Sequence, residues 1–181
     1  TEGGKEAGYG HLTRCVAIAQ AFQELSCQVE FILDASDDVC SLMENFSFKL
    51  SQWRNLIIPP TCDLIIVDSY RVSTNQIRAI TKNKPALFID DFSRIEYPRD
   101  GWILNACPGV PSEIYQKDTK VLAGIKYLPL RRNFWDIDSK KLRISSDVKE
   151  VFVMFGGADL KNLAPTTLNI LIELFPEATV N

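Results

Sequence analysis

Two short stretches constrain this chain more than anything else in it. Leu64-Ile65-Ile66-Val67 stops at Asp68, and Ala86-Leu87-Phe88-Ile89 stops at Asp90-Asp91. A strand that alternates apolar and polar residues can leave one face in water. A strand that is apolar at every position must be covered on both faces, and a parallel sheet sandwiched between helices provides that cover. Helical patterns stand between such runs. From His11 to Leu25 the residues Leu12, Cys15, Val16, Ala19, Phe22 and Leu25 recur at spacings of three and four, which marks an amphipathic helix. Ser73 to about Asn83 reads as another, capped by Ser73 or Thr74, whose short hydroxyl side chains can accept from free N–H groups at a helix start.

Further runs extend the alternation. Val29-Glu30-Phe31-Ile32-Leu33 reads as a strand closed by Asp34, Ser36-Asp37-Asp38 as the cap of a helix running to about Phe46, and Phe48-Lys49-Leu50 as a weak strand. Ile103-Leu104 before Asn105 and Val121-Leu122-Ala123 before Gly124 read as shorter strands. Strands alternating with helices predict an α/β fold around a mostly parallel sheet. No strand is visible before the first helix, so the first strand of a doubly wound domain is expected to lie ahead of residue 1. A polar stretch around 136–149 reads as a linker. Val151-Phe152-Val153-Met154-Phe155 then predicts a buried strand, followed by Gly156-Gly157-Ala158-Asp159, a helix from about Asn162 to Leu174 and a strand start at Ala178-Thr179-Val180. The expected organisation is an N-terminal domain over 1–136, a linker over 137–149, and the first strand and helix of a second, similar domain over 150–181.

Composition removes several function classes. The chain has 181 residues, with 20 Lys and Arg against 23 Asp and Glu and a formal charge of −3. Proteins that follow nucleic-acid polymers usually carry a basic surplus, so that partner is excluded. No apolar run approaches the length of a membrane span. The five cysteines, Cys15, Cys27, Cys40, Cys62 and Cys107, form no C-x-x-C pair, and one histidine cannot complete a Cys/His zinc set. Reduced thiols in a cytoplasmic protein are the expectation.

In open parallel sheets ligands bind beyond the carboxyl ends of the strands. Four polar clusters fall at such ends: Gly8-Tyr9-Gly10-His11, Asp68-Ser69-Tyr70, Asp90-Asp91 and Gly156-Gly157-Ala158-Asp159. Glycines opening a helix suit an anion, because free N–H groups and the helix dipole point at it. The loop before His11 lacks Gly-Lys-Ser/Thr and the third glycine of a dinucleotide fingerprint, so neither of those sites is indicated. His11, in the first helical turn among glycines, is the candidate general base. Arg14, one turn on and on the same face, can pair with a carboxylate or a phosphate. Asp68 and Asp90 can cap the following turns or orient a catalytic group, and Tyr70 can offer its hydroxyl to a ligand or simply pack.

Taken together, Gly8-x-Gly10-His11-x-x-Arg14-Cys15 before an Ala-containing helix, Val67-Asp68-Ser69-Tyr70, Ile89-Asp90-Asp91, Leu104-Asn105, Gly124-x-x-Tyr127-x-x-Leu130-Arg131-x-x-Phe134 and Phe155-Gly156-Gly157-x-Asp159-x-x-Asn162-Leu163 resemble the UDP-sugar hydrolases of pseudaminic acid biosynthesis, the PseG and SpsG type. The resemblance spans nearly the whole chain. It implies a GT-B fold of two Rossmann-like domains facing a cleft, related to MurG. It implies hydrolysis of a UDP-linked deoxy-diacetamido sugar at its anomeric carbon with inversion, for nonulosonic acid or surface polysaccharide synthesis, with no metal and no cofactor.

By the same resemblance His11 is the catalytic histidine that orients or deprotonates water, and Tyr70 positions substrate or water. Gly8, Gly10, Arg14, Asp68, Asp90 and Asn105 are expected on the substrate, and Gly156, Gly157 and Asp159 on the diphosphate. The chain departs from the family pattern at Ala158 and Ala164, each replacing a hydroxyl near the phosphates. A cytoplasmic monomer is expected, inactive without the uracil-binding part of the second domain. A GT-B glycosyltransferase with a UDP-sugar donor, and a non-catalytic sugar-nucleotide binding protein, are the alternatives.

Overall fold

The computed structural model describes residues 1–5, 7–35, 39–56, 58, 61–117, 119–137, 147–156, 159 and 161–181. Strands β1 (Glu2–Gly3), β2 (Glu30–Ala35) and β3 (Ser47–Leu50) form one parallel sheet in the order β1-β2-β3. Strands β4 (Ile65–Asp68), β5 (Ala86–Ile89), β6 (Trp102–Asn105) and β7 (Lys120–Ala123) form another, parallel throughout, in the order β4-β5-β6-β7. Helices α1 (Gly10–Glu24), α2 (Cys40–Met43) and α3 (Thr74–Ile80) connect them. The result is an α/β, Rossmann-like arrangement.

A strand does precede α1, contrary to the expectation from sequence. Glu2 and Gly3 pair in parallel with Asp34 and Ala35. A two-residue strand shows no hydrophobic period, and the acidic Glu2 disguises it further. On its other side Glu2 reaches the chain just past β4, where its carboxylate accepts from the Ser69 hydroxyl and, at 2.9 Å, from the Tyr70 amide. The N-terminal residues thus sit at the seam between the two sheets, where successive strands are added in opposite directions.

The continuously apolar strands are covered on both faces. Side chains alternate along a strand, and those of β4, β5 and β6 divide accordingly. Ile66, Leu87, Ile89 and Leu104 join the core under α1 with Leu12, Val16, Ala19, Phe31 and Leu33. Ile65, Val67, Ala86, Phe88 and Ile103 join the core under α3 with Ile77, Tyr97 and Tyr115. At about 1.5–3 kcal/mol for each fully buried large apolar side chain, this double cover supplies the main drive to fold.

Helix α3 starts with a capping box: Ser73 Oγ accepts from the Gln76 amide while the Gln76 side chain accepts from the Ser73 amide. The residues expected to cap α2, Ser36, Asp37 and Asp38, lie outside the described residues, and so do 138–146 of the expected linker. The second unit is shorter in strand than expected. Strand β8 (Glu150–Val151) pairs in parallel with β9 (Thr179–Val180), and α4 (Ala164–Leu174) connects them. Val153 continues the pairing by donating its amide to the Asn181 carbonyl at 2.9 Å. Phe152 and Met154, expected in a buried strand, are 75% and 69% exposed.

Candidate functional site

Polar side chains converge beyond the carboxyl ends of β1, β4 and β5, at the seam where ligands bind in open α/β sheets. Asp68 ends β4 with its side chain fully buried, and three neighbours on α1 meet it. His11 Nδ1 lies 2.7 Å from Asp68 Oδ1. Arg14 donates from Nε to Asp68 Oδ2 at 2.5 Å and from Nη2 to Oδ1 at 2.7 Å. Cys15 turns its thiol to Asp68 Oδ2 at 3.8 Å, and burial first, then Asp68, pushes that thiol up to about 12. His11 and Arg14 face the same carboxylate because residues three apart share a helix face.

The imidazole tautomer follows from these contacts. Were Nδ1 bare, its lone pair would face a carboxylate oxygen at 2.7 Å. With Nδ1 protonated it donates to Asp68, an arrangement far stronger than acceptance from Arg14 Nη2 at 3.2 Å. Nε2 is left to face the other side, 4.0 Å from Glu2 Oε1. The ring of Tyr70 meets the imidazole edge to face, centroids 4.3 Å apart at 89°. His11 is 7% exposed beneath it, while Tyr70 is 43% exposed.

Asp91 completes the cluster. Arg14 Nη1 donates to both its oxygens, at 2.9 and 2.8 Å, and the Tyr70 hydroxyl donates to Oδ2 at 2.5 Å. Burial alone would push the Asp91 carboxyl up, but the bonds from Tyr70 and Arg14 outweigh it and hold the group below its ordinary value. Burial works against the Arg14 charge, yet Asp68 and then Asp91 more than offset it and raise its proton affinity. Tyr70 is raised by desolvation and by its bond to Asp91.

Asp90, expected on the substrate, is 2% exposed and turned into the interior. Its carboxylate accepts from the hydroxyls of Tyr97 at 2.9 Å and Tyr115 at 2.7 Å, and from the amide of Ser93 at 2.6 Å. Asn105 is drawn into the same interior network, donating to Tyr115 at 2.8 Å and accepting from the Cys107 amide at 3.0 Å. These bonds tie the loops after β5 and β6 together. The further carboxylate that meets Arg14 is that of the next residue, Asp91.

Gly8 and Gly10 do stand at the start of α1. Gly8 has φ +75°, a left-handed value that favours glycine, and an added Cβ would meet nothing within 4 Å there, so backbone conformation and not space explains the residue. In the second unit Gly156 has φ +67°, and Gly157 lies outside the described residues. Asp159 stands just before α4, and its two oxygens accept from the amides of Leu163 and Ala164, each at 2.9 Å.

No family model matches the chain. It is 25% identical to an uncharacterized protein of Methanocaldococcus jannaschii, MJ1062, over a 200-residue alignment that takes in all of this chain and 40% of that relative. The chain thus spans well under half the length of the curated relative it matches.

Among the described residues no group of three or more His, Cys, Asp and Glu is placed to hold a metal ion. Among the described residues no helix is long and apolar enough to cross a membrane. Glu2 was invisible to sequence reasoning as a site residue, because nothing in Thr-Glu-Gly-Gly reveals a strand end. Asp91 stands beside Asp90 in the sequence, and which of two adjacent acids turns inward and which meets Arg14 is a question only the loop geometry answers.

Proposed function

We propose that this cluster is the hydrolytic half-site of a sugar-nucleotide hydrolase acting on a UDP-linked deoxy-diacetamido sugar. The observation that carries the reading is the His11–Asp68 pair, in which a buried carboxylate accepts a hydrogen bond from Nδ1–H and leaves Nε2 to act on water. In the proposed reaction Nε2 accepts a proton from water as the water oxygen bonds to the anomeric carbon. The bond from that carbon to the diphosphate oxygen breaks, and its electron pair leaves with UDP. Asp68 steadies the imidazolium so formed, and Arg14 neutralises Asp68 between turnovers. A second Rossmann-like unit, begun by β8, α4 and β9, is the proposed carrier of the nucleotide in a GT-B arrangement.

The test is His11→Asn in the full-length protein with a panel of UDP-sugars, following release of UDP and free sugar. We expect hydrolysis to fall by a factor on the order of 100–10,000, the usual worth of a general base, with UDP binding retained. Normal turnover by the variant would remove His11 from the mechanism. The burial of His11 under Tyr70 favours a second reading, a site that binds a sugar nucleotide without turning it over. UDP binding with no UDP release from any sugar in the panel would select it.

A further inference from the structure

We propose that Asp91 is a positioning residue of this site, holding Arg14 and Tyr70 at once so that the imidazole of His11 is fixed from two sides. The proposal rests on the hydrolase reading for its kinetic consequence, but its geometric content stands without it.

Five side chains close a ring: His11 to Asp68, Asp68 to Arg14, Arg14 to Asp91, Asp91 to Tyr70, and Tyr70 back to His11. They come from α1, from the end of β4, and from the loops after β4 and β5. Asp91 is the member that joins the two arms. On one arm the guanidinium is a rigid plane. Anchoring its Nη1 corner on both Asp91 oxygens therefore sets the tilt at which Nε and Nη2 meet Asp68. Asp68 Oδ1 is shared between Arg14 Nη2 and His11 Nδ1, so that tilt decides where the imidazole N–H can point. On the other arm, Asp91 Oδ2 holds the Tyr70 hydroxyl and thereby keeps the ring edge against His11.

A second carboxylate is unnecessary for Arg14's charge, since Asp68 already takes two of its donors. Its use is geometric. The charged and titratable groups facing Asp91 are Arg14, the Tyr70 hydroxyl and the Cys107 thiol, whose sulfur lies 3.7 Å from Oδ1. Asp68 lies across Arg14, and Asp90 is the preceding residue.

Two readouts decide the matter. In the full-length protein, Asp91→Asn is expected to lower kcat about 10–100-fold, the usual range for partners one step removed from a reacting group, with KM for the UDP-sugar within about 3-fold. Asp91→Glu should restore part of the loss. In this chain His11 is the sole histidine, so its imidazole nitrogens give unambiguous NMR signals. Asp91→Asn is expected to shift them while the amide spectrum stays folded.

A variant with wild-type kcat overturns the proposal even where the wild type hydrolyses UDP-sugars and the hydrolase reading stands. If the wild type turns over no sugar nucleotide, that reading fails, and unshifted imidazole signals in Asp91→Asn overturn the proposal independently. Should Asp91→Asn not fold, Arg14→Lys keeps the charge but cannot span both carboxylates as a fork. It should give the same kcat loss and imidazole shift, and wild-type values there likewise refute the role of the Arg14–Asp91 bridge.

Discussion

Asp90 and Asp91 are adjacent in sequence, both end the same strand run, and they lead opposite lives. Asp90 is 2% exposed and bonded mainly to neutral donors, the hydroxyls of Tyr97 and Tyr115 and a loop amide. Asp91 is bonded to the Arg14 cation and to the half-exposed Tyr70. A closed network of neutral donors rigidifies, because every lone pair and proton is used inside the protein and breaking one strands the others. An open network built on a cation retains a water-facing edge. The difference separates the part of the strand-end layer that holds the loops from the part that faces water.

The largest contrast is expected from truncation. Asp90→Ala leaves two buried tyrosine hydroxyls and an amide without their acceptor, at about 1–3 kcal/mol for each unsatisfied group. Chemical denaturation should therefore show a loss of roughly 3 kcal/mol or more, with Asp91→Ala losing less, about 1–2 kcal/mol, because Arg14 keeps its two bonds to Asp68. Equal losses would erase the distinction between the two networks.

A finer contrast lies in single hydroxyls. Tyr97→Phe removes a bond to a buried carboxylate and should cost about 1.5–3 kcal/mol in the same measurement. Tyr70→Phe, at a more open position, should cost under about 1 kcal/mol. The smallest effect is acid dependence. The Asp91 carboxyl is held below its ordinary value, so its bonds contribute stability fully above the unfolded value of about 3.9, and that contribution is lost as pH falls through the lower folded value. Melting temperature followed from pH 5 downward should fall less steeply in Asp91→Asn than in the wild type. Parallel curves would mean that Asp91 is not the group titrating.

Much of the fold was legible because burial writes itself into the apolar pattern. β4 and β5 are apolar at every position that both cores claim, and α1 carries its stripe at Leu12, Cys15, Val16 and Ala19. His11, Arg14, Asp68 and Tyr70 were legible as a group, since strand ends and helix starts meet at one side of a parallel sheet, and the structure brings all four together. Other features left no trace. β1 is too short for a period, and the exposure of Phe152 and Met154 depends on what surrounds the second unit, not on the run that contains them.

From its residues alone this chain is committed to a parallel α/β sheet with polar groups gathered at the strand ends, because apolar periodicity is a local record of which faces must leave water. Which of two neighbouring acids holds Arg14, which tautomer His11 adopts, and that Glu2 lies 4.0 Å from its Nε2 were settled by folding. Those are matters of direction between groups up to 77 residues apart along the chain, and a one-dimensional pattern carries no direction.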